Sequence, residues 1–396
     1  MTLLYYSFVE NTPNVRRKTM KSNEDKLKTA GKTEDRRSFL KGAAAVGGAT
    51  ILGAPFISNA EAAKGTTWKI QTTWDAGTTG YNLFKEWAGQ MQEKSSGELS
   101  IKPFAAKSVA ADNNALFDAV RSGVLHGMNP FTLYWSGKIP ASVFLSSYPA
   151  GPDQPAQWDT MFYGLGMLEK ARKIYSKYGL FYVGPIQHDA NIIHSKVPMN
   201  SVEDMKGKKI RLPGGMVAEV FQQLGATTVA IPGSDIFPAL EKGTIDAADY
   251  VGPAVNYDLG FHQVTKHILF GPPGTMSLYQ PVDLMDLTVN LRAWKKLSPK
   301  MKQFVEEQVY VYSRDHFVAI QKRNVEAMAK FKAAGSVVSR FSADDVAKFR
   351  KAAVPIWFKW AKKNKDASEI FKLQLDYMLN DTMGYVSEAD IKGFKL

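Results

Sequence analysis

Two stretches of this chain follow one grammar. "LFDAVRSGVLHGMNPF" (116–131) and "IFPALEKGTIDAADYV" (236–251) superimpose without a gap. In each, a helical pattern runs to a glycine, Gly123 or Gly243, and a short strand of small and apolar residues follows. The strands close on a polar residue, Asn129 in one and Asp249 in the other. Two readings are open. α/β chains repeat such units by chance, or this chain holds two lobes of like topology whose strand ends meet across a cleft. Ligands in open α/β sheets bind beyond the carboxyl ends of strands, so the second reading aims Asn129 and Asp249 at one site.

Length favours two lobes, because 396 residues are too many for one small core. Upstream of the first unit, "WKIQTTW" (68–74) alternates like a strand. "YNLFKEWAGQMQEKSSG" (81–97) has helical spacing up to Gly97, and "ELSIKPF" (98–104) is the next strand. The tripeptide "GLG" (164–166) lies within an apolar helical pattern and reads as helix packing, not as a dinucleotide loop. The C-terminal third is helical. Residues 298–335 contain no Pro or Gly between Pro299 and Gly335. At ~1.5 Å per residue that helix exceeds about 45 Å, long enough to brace both lobes. Two more helices follow, the first with Ser342 as N-cap and with Pro355 expected to kink it.

The N-terminus carries an address. "RRSFLKGAAAVGGATILGAPFISNAEA" joins the twin arginine Arg36-Arg37 to an apolar run from Gly42 to Ile57 and an A-x-A pattern at Ala60-Glu61-Ala62. Residues 1–62 read as a twin-arginine signal region, with the mature chain beginning near Ala63 and working in the periplasm. Ten Lys/Arg and six Asp/Glu in that region supply +4 of the formal +12, leaving +8. A basic balance without a basic run interleaved with aromatics argues for small anions and against nucleic acid. The chain has no cysteine, which removes disulfides, thiolate metal sites and cysteine nucleophiles. It has no G-x-S-x-G, H-E-x-x-H or P-loop pattern, and its six histidines are scattered. The expectation is a binding protein and not an enzyme, with no cofactor.

"KGKKIRLPGG" (206–215) holds the leading site candidate. Lys206, Lys208 and Lys209 suit a solvated hairpin, whereas Arg211 sits between Ile210 and Leu212, just before the break at Pro213-Gly214-Gly215. A guanidinium in such a strand needs a partner: an internal Asp or Glu, or a ligand carboxylate gripped by its planar fork. "DAADYVGPAVNYDLGFH" (246–262) is the second candidate. Asp249 and Tyr250 there are either a turn residue and a packing ring, or oxygen and wall for a hard cation. "YQPVDLMD" (279–286) adds Gln280 and Asp283 as oxygen donors, and "GPIQHDAN" (184–191) contributes Gln187, His188 and Asn191.

These residues, in this order, resemble the solute-binding proteins of tripartite ATP-independent periplasmic (TRAP) transporters. The resemblance covers residues 66–340 and rests most on "DMKGKKIR", "LGAT" and "ALEKGTIDAAD". It implies an α/β, two-lobed periplasmic solute-binding fold with crossing strands and a long bridging helix. Residues 63–188 plus about 282–315 would form lobe I; 189–281 plus the C-terminal helices to 396 would form lobe II. It also implies that Arg211 binds a ligand carboxylate. "DYVGP" is similar to the acidic-Trp-Val-Gly-Pro motif of the branch that binds 2-oxo and 2-hydroxy monocarboxylates such as pyruvate or lactate with a cation. Tyr250 replaces the Trp, and Gln280 falls where a second acidic ligand is expected. Gln187 is the match to a Gln ahead of the Arg strand, and "FTLYWSGK" (131–138) marks Tyr134 and Trp135 as pocket wall.

The expected substrate-binding set is therefore Arg211, Gln187, Asn129, Tyr134, Trp135, Tyr250 and Asn191. The expected set for a bridging Na⁺ or Ca²⁺ is Asp249, Tyr250, Gln280, Gln187 and Asp283. The expected partners are a small carboxylate, the membrane permease subunits and, as an open possibility, a second copy in a homodimer. A larger aromatic or dicarboxylic acid is the alternative ligand, and an exported enzyme the alternative class.

Overall fold

The two echoed units supply interior strands to two different sheets of the chain, described here over residues 65–396 of a computed structural model. The twin-arginine region and its A-x-A pattern lie outside the described residues. The first sheet draws on β1 (Thr66–Thr72), α1 (Thr79–Lys94), β2 (Leu99–Phe104), α2 (Asn113–Ser122) and β3 (Gly127–Asn129). Single turns at Thr132–Trp135 and Pro140–Phe144 lead to α3 (Pro155–Asp159), α4 (Met167–Ser176) and β4 (Leu180–Gln187). The chain then crosses to β5 (Ile193–Ser195), β6 (Lys209–Arg211), α5 (Gly215–Gln223), β7 (Thr227–Val229), α6 (Ile236–Glu241) and β8 (Ala247–Asp249). After α7 (Pro253–Asp258), α8 (Phe261–Val264) and β9 (His267–Phe270) it crosses back to β10 (Leu284–Asn290). It ends with α9 (Leu291–Lys295), α10 (Pro299–Ala333), β11 (Val337–Arg340), α11 (Ala343–Ala361) and α12 (Lys365–Leu379).

The first sheet has the order β2-β1-β3-β10-β4 and the second β11-β9-β5-β8-β6-β7. β1 lies parallel to β2 and β3, the product of right-handed strand–helix–strand units. β6 lies parallel to β7 and β8 for the same reason. The strands that carry the chain across, β5 and β10, are antiparallel to both their neighbours. Both echoed helices end near a glycine in the left-handed region, Gly123 at φ 92° and Gly243 at φ 68°, where a Cβ would be strained.

One face of α10 runs along the crossing. Ser313 accepts a hydrogen bond from the Gln187 N–H (2.8 Å), His316 Nδ1 meets the Gln187 carbonyl (3.1 Å), and Asn324 donates to Asp189 (2.9 Å). Asp189 also accepts from the Gly252 N–H (3.1 Å), and its own carbonyl accepts from the Asp283 N–H (2.6 Å). These spacings put Ser313, His316 and Asn324 on one stripe of the helix. They tie both crossing segments and the turn after β8 to a single rod.

Two local expectations change. The "GLG" glycines do not sit inside one helix: the turn over Thr160–Gly164 ends there, and Gly166, at φ 81°, is the N-cap residue of α4. The C-terminal helices do not belong to the second lobe alone. α11 packs on α5, but Gln374 of α12 donates to the Phe144 carbonyl (2.6 Å) and Phe371 lies against Phe144 (4.9 Å between rings). Burial of aromatic faces on both sides makes this pair of helices span both lobes. α11 also continues through Pro355 as one helix.

Candidate functional site

Arg211 ends β6, and its neighbours explain its position. Pairing with β7 and β8 fixes the strand, and Leu212 still bonds the Val229 carbonyl (3.0 Å). The chain then breaks at Pro213 and at Gly214 and Gly215, with φ of 92° and 61°. A Cβ on Gly215 would come within 3.3 Å of the Ser136 hydroxyl, so the break also permits a close approach of the segment after β3. Arg211 is 2% exposed. Its Nε donates to the Ile231 carbonyl (3.0 Å) and Nη1 to the Asp249 carbonyl (2.8 Å). Among the described residues no carboxylate pairs with it, and its guanidinium lies over the Tyr250 ring at 5.5 Å. The internal ion pair, one of the two sequence readings, is not what holds this side chain. Two carbonyls fix the fork, and no carboxylate forms a direct ion pair with the buried charge, a costly state without an anion.

Beside it, Asp249 ends β8 with 0% exposure, and neither carboxylate oxygen has a hydrogen-bond partner among the described residues. Burial pushes its carboxyl well above the usual range and the Asp283 charge adds to this, while Arg211 and Asn191 oppose it. Asn191 donates to Gln280 Oε1 (3.1 Å), leaving its own Oδ1 unpartnered, as is Gln280 Nε2. Asp283 accepts from the Ser146 hydroxyl (2.9 Å) and the Leu284 N–H (3.0 Å), and burial raises its carboxyl to about 7. A chamber of about 10 Å³ is lined by Tyr134, Asn191, Arg211, Tyr250, Gln280 and Asp283. That is the scale of one water or ion.

Beside the Arg211 guanidinium, the side chains at and next to this chamber offer oxygens from two carboxylates, Asp283 in its lining and Asp249 adjoining Arg211, and from two amides, Asn191 and Gln280. Such a set fits a hard cation such as Na⁺ or Ca²⁺. The orphaned oxygens of Asp249 and Asn191, and two buried carboxyls that burial raises, Asp249 further through the Asp283 charge, are what a cation there would relieve. Among the described residues no cluster of three or more His, Cys, Asp or Glu forms a metal site, so a cation here would lean on the amide oxygens as well as the two carboxylates.

The chamber opens past Arg211, Tyr134, Pro213 and Tyr250 into a cleft of about 390 Å³ between the strand ends of the two sheets. Its far side carries Thr73, Asp75 and Lys107, residues that the sequence reading did not single out. Their signal was present, because Thr73 follows directly on the carboxyl end of β1.

Three expected site residues are not brought to the cleft. Gln187 turns its amide away, donating to Asp159 (2.7 Å) and the Pro155 carbonyl (3.2 Å). As the last residue of β4 it alternates to the opposite face. Asn129 donates to the Asp286 carbonyl (2.9 Å), holding β3 to β10. Trp135 is a core residue against Phe117 (5.1 Å), since the short helical turn that presents Tyr134 points the next ring inward. His188 is also in the interior, edge-on to Trp74 at 4.7 Å, and burial lowers its pKa well below the ordinary value, leaving it neutral.

Comparison with known proteins agrees with this architecture. Residues 70–364 match the family of bacterial extracellular solute-binding proteins, family 7, and residues 35–53 match the twin-arginine translocation signal sequence. The chain belongs to that solute-binding family and is an exported, periplasmic protein. It is 26% identical over 306 residues to the monocarboxylate 2-oxoacid-binding periplasmic protein of Nostoc sp., covering 77% of this chain and 82% of the relative. A TRAP solute-binding protein of Bordetella bronchiseptica, a dimer with copurified calcium and picolinate in one site, superimposes with a TM-score of 0.72 at 25% identity, covering 81% of this chain and 94% of its own. One from Pseudoalteromonas atlantica, with bound sodium and pyruvate, gives 0.71 at 25% identity, covering 84% of this chain and all of the other.

Proposed function

We propose that this protein is the periplasmic receptor of a TRAP transporter, taking a 2-oxo or 2-hydroxy carboxylate together with a hard cation and delivering it to the membrane permease. One observation carries the reading: a buried guanidinium with no carboxylate of its own opens into a cleft between two sheets. The bound pyruvate and picolinate of similar proteins, and the 2-oxoacid ligand of the Nostoc relative, support the same head group. In this reading Arg211 donates to the ligand carboxylate from one sheet. Asp249, Asn191, Gln280 and Asp283 hold the cation, which would neutralise the carboxylates and present positive charge to the ligand. Ligand that bridges the strand ends of both sheets favours the closed form of the lobes, turning about the crossing segments along α10. No bond is made or broken, and the protein acts as a receptor. A homodimer, as in the Bordetella bronchiseptica neighbour, is its proposed assembly, tested by sedimentation of the mature chain.

A thermal-shift screen of pyruvate and lactate, each with calcium, sodium or a chelator, tests the ligand. A ligand at 100 times its dissociation constant adds about 2.7 kcal/mol of stability. Absence of any shift across these acids would remove the reading.

A further inference from the structure

The site has two compartments of very different size. The chamber at the cation donors holds about 10 Å³, whereas the cleft beyond Arg211 holds about 390 Å³. The larger figure falls within the roughly 300–1,000 Å³ typical of pockets for drug-sized ligands. A three-carbon acid with its carboxylate on Arg211 would leave most of that cleft as water.

The far wall has a definite chemistry. Thr73 Oγ1 is buried without a partner, and the Asp75 carboxylate accepts no hydrogen bond among the described residues. Lys107 reaches across the cleft mouth to Asp235 at 3.2 Å, joining the end of the β2 segment to the start of α6. It does so from a left-handed backbone, φ 63°, which a lysine adopts only where its surroundings impose it. The cation nearest Asp75 is thus already engaged. What remains open at this end is one carboxylate, an acceptor only, and one hydroxyl, which can donate or accept. Burial raises the Asp75 carboxyl, with Lys107 opposing and Asp235 adding to the shift, so its charge is only partly relieved by its surroundings.

We propose that the natural ligand is longer than pyruvate or lactate, with its carboxylate on Arg211 and a hydrogen-bond donor, hydroxyl or ammonium, at its other end against Asp75 and Thr73. The inference rests on the carboxylate-receptor reading above and narrows it. A second carboxylate at the same place would meet Asp75 while the neighbouring cation, Lys107, is already shared with Asp235. Dicarboxylates are therefore disfavoured, although the cleft is large enough to hold them.

The test keeps the head group constant and varies the tail. Calorimetry of the mature protein with saturating calcium would compare lactate, 2-hydroxypentanoate, 2,5-dihydroxypentanoate, 5-amino-2-hydroxypentanoate and 2-hydroxyglutarate. A donor tail should bind tighter than the plain alkyl tail by on the order of tenfold, the scale of one hydrogen bond to a charged group, and the glutarate weaker than the alkyl tail. Asp75→Asn should shrink the ratio between donor and glutarate tails. Thr73→Val reads the same ratio should Asp75→Asn fail to fold. If lactate binds but the five-carbon acids show no preference for a donor, or neither variant moves the ratio, the tail inference is wrong and the receptor reading stands. If no acid binds, lactate included, both fall together. The hydroxyl and ammonium arms decide which donor the site prefers.

Discussion

Asn129 and Asp249 end equivalent strands of equivalent units, yet they do opposite things. Asn129 is buried and spends its amide on the Asp286 carbonyl, which locks β3 to β10. Asp249 is equally buried and its carboxylate has no partner among the described residues. The same contrast separates the sheets at large. In the first, the buried carboxylate Asp286 is satisfied by Thr132 (2.8 Å) and Thr288 (2.6 Å). In the second, Arg211 is held by two main-chain carbonyls and the Asp249 carboxyl by no hydrogen bond among the described residues, so neither has a direct side-chain partner. A fold can repeat a unit and still assign one copy to structure and the other to a ligand. What differs is whether a returning strand supplies a partner for the last residue.

The largest test of this contrast is Arg211→Ala. It should weaken carboxylate binding by ~2–4 kcal/mol, roughly 30- to 1,000-fold, because the ligand charge loses the buried guanidinium that faces it. Near wild-type affinity in calorimetry would take Arg211 out of the site. Asp249→Asn keeps the side-chain shape and removes an unpartnered carboxylate. The melting temperature without ligand should stay level or rise, while the ~2.7 kcal/mol that calcium adds at 100 times its dissociation constant should vanish. A protein that melts earlier yet still responds to calcium would contradict the assignment.

Asn129→Ala should behave in the reverse way. Its lost hydrogen bond leaves the Asp286 carbonyl buried and unpaired, costing about 1–3 kcal/mol in denaturant unfolding. His194 gives a pH test in the second sheet. Packed between Phe261 (5.3 Å) and Phe331 (5.0 Å), with neither ring nitrogen bonded, it is held neutral by burial, its pKa lowered from 6.5 to about 3. The unfolded chain takes up a proton below about pH 6.5 and the folded chain does not, so stability from this group is lost as pH falls. Between pH 7 and 5 the loss is about 2 kcal/mol, and His194→Leu should remove that part of the slope. An unchanged slope would show that His194 is not an orphan of this kind. The smallest effect belongs to Lys107→Ala. Its bridge to Asp235 is 42% and 50% exposed, so stability should change by less than about 1 kcal/mol, and less again in high salt.

Much of the fold was legible because it is local. The "WKIQTTW" and "ELSIKPF" strands, the Gly123 and Gly243 stops, the 35-residue α10 and the Ser342 cap all follow from periodicity, left-handed glycines and side-chain capping within a few residues. Arg211 was legible for a similar reason, since a charged residue set in an apolar strand before a Pro-Gly-Gly break has few uses. Gln187 and Trp135 show where that reading ends. Each stands in a segment that does border the site, but a single step of strand or helical-turn phase decides which side it faces. The motif "DYVGP" drew attention to Asp249, and the chain's own order could not say that Asn191, just ahead of the crossing strand β5, would stand beside it.

The sequence by itself determined the export signal, the two α/β units, the absence of cysteine chemistry and the guanidinium that asks for an anion. These depend on residue type and short spacing. The tertiary structure alone decided which polar residues are satisfied and which are left open, because a hydrogen-bond partner arrives from a strand or helix more than a hundred residues away. Asp286 reaches Asn129 in that way, and Asn324 reaches Asp189. It also decided the cleft's second end, where Thr73, Asp75 and Lys107 meet Asp235 only once the two sheets face each other.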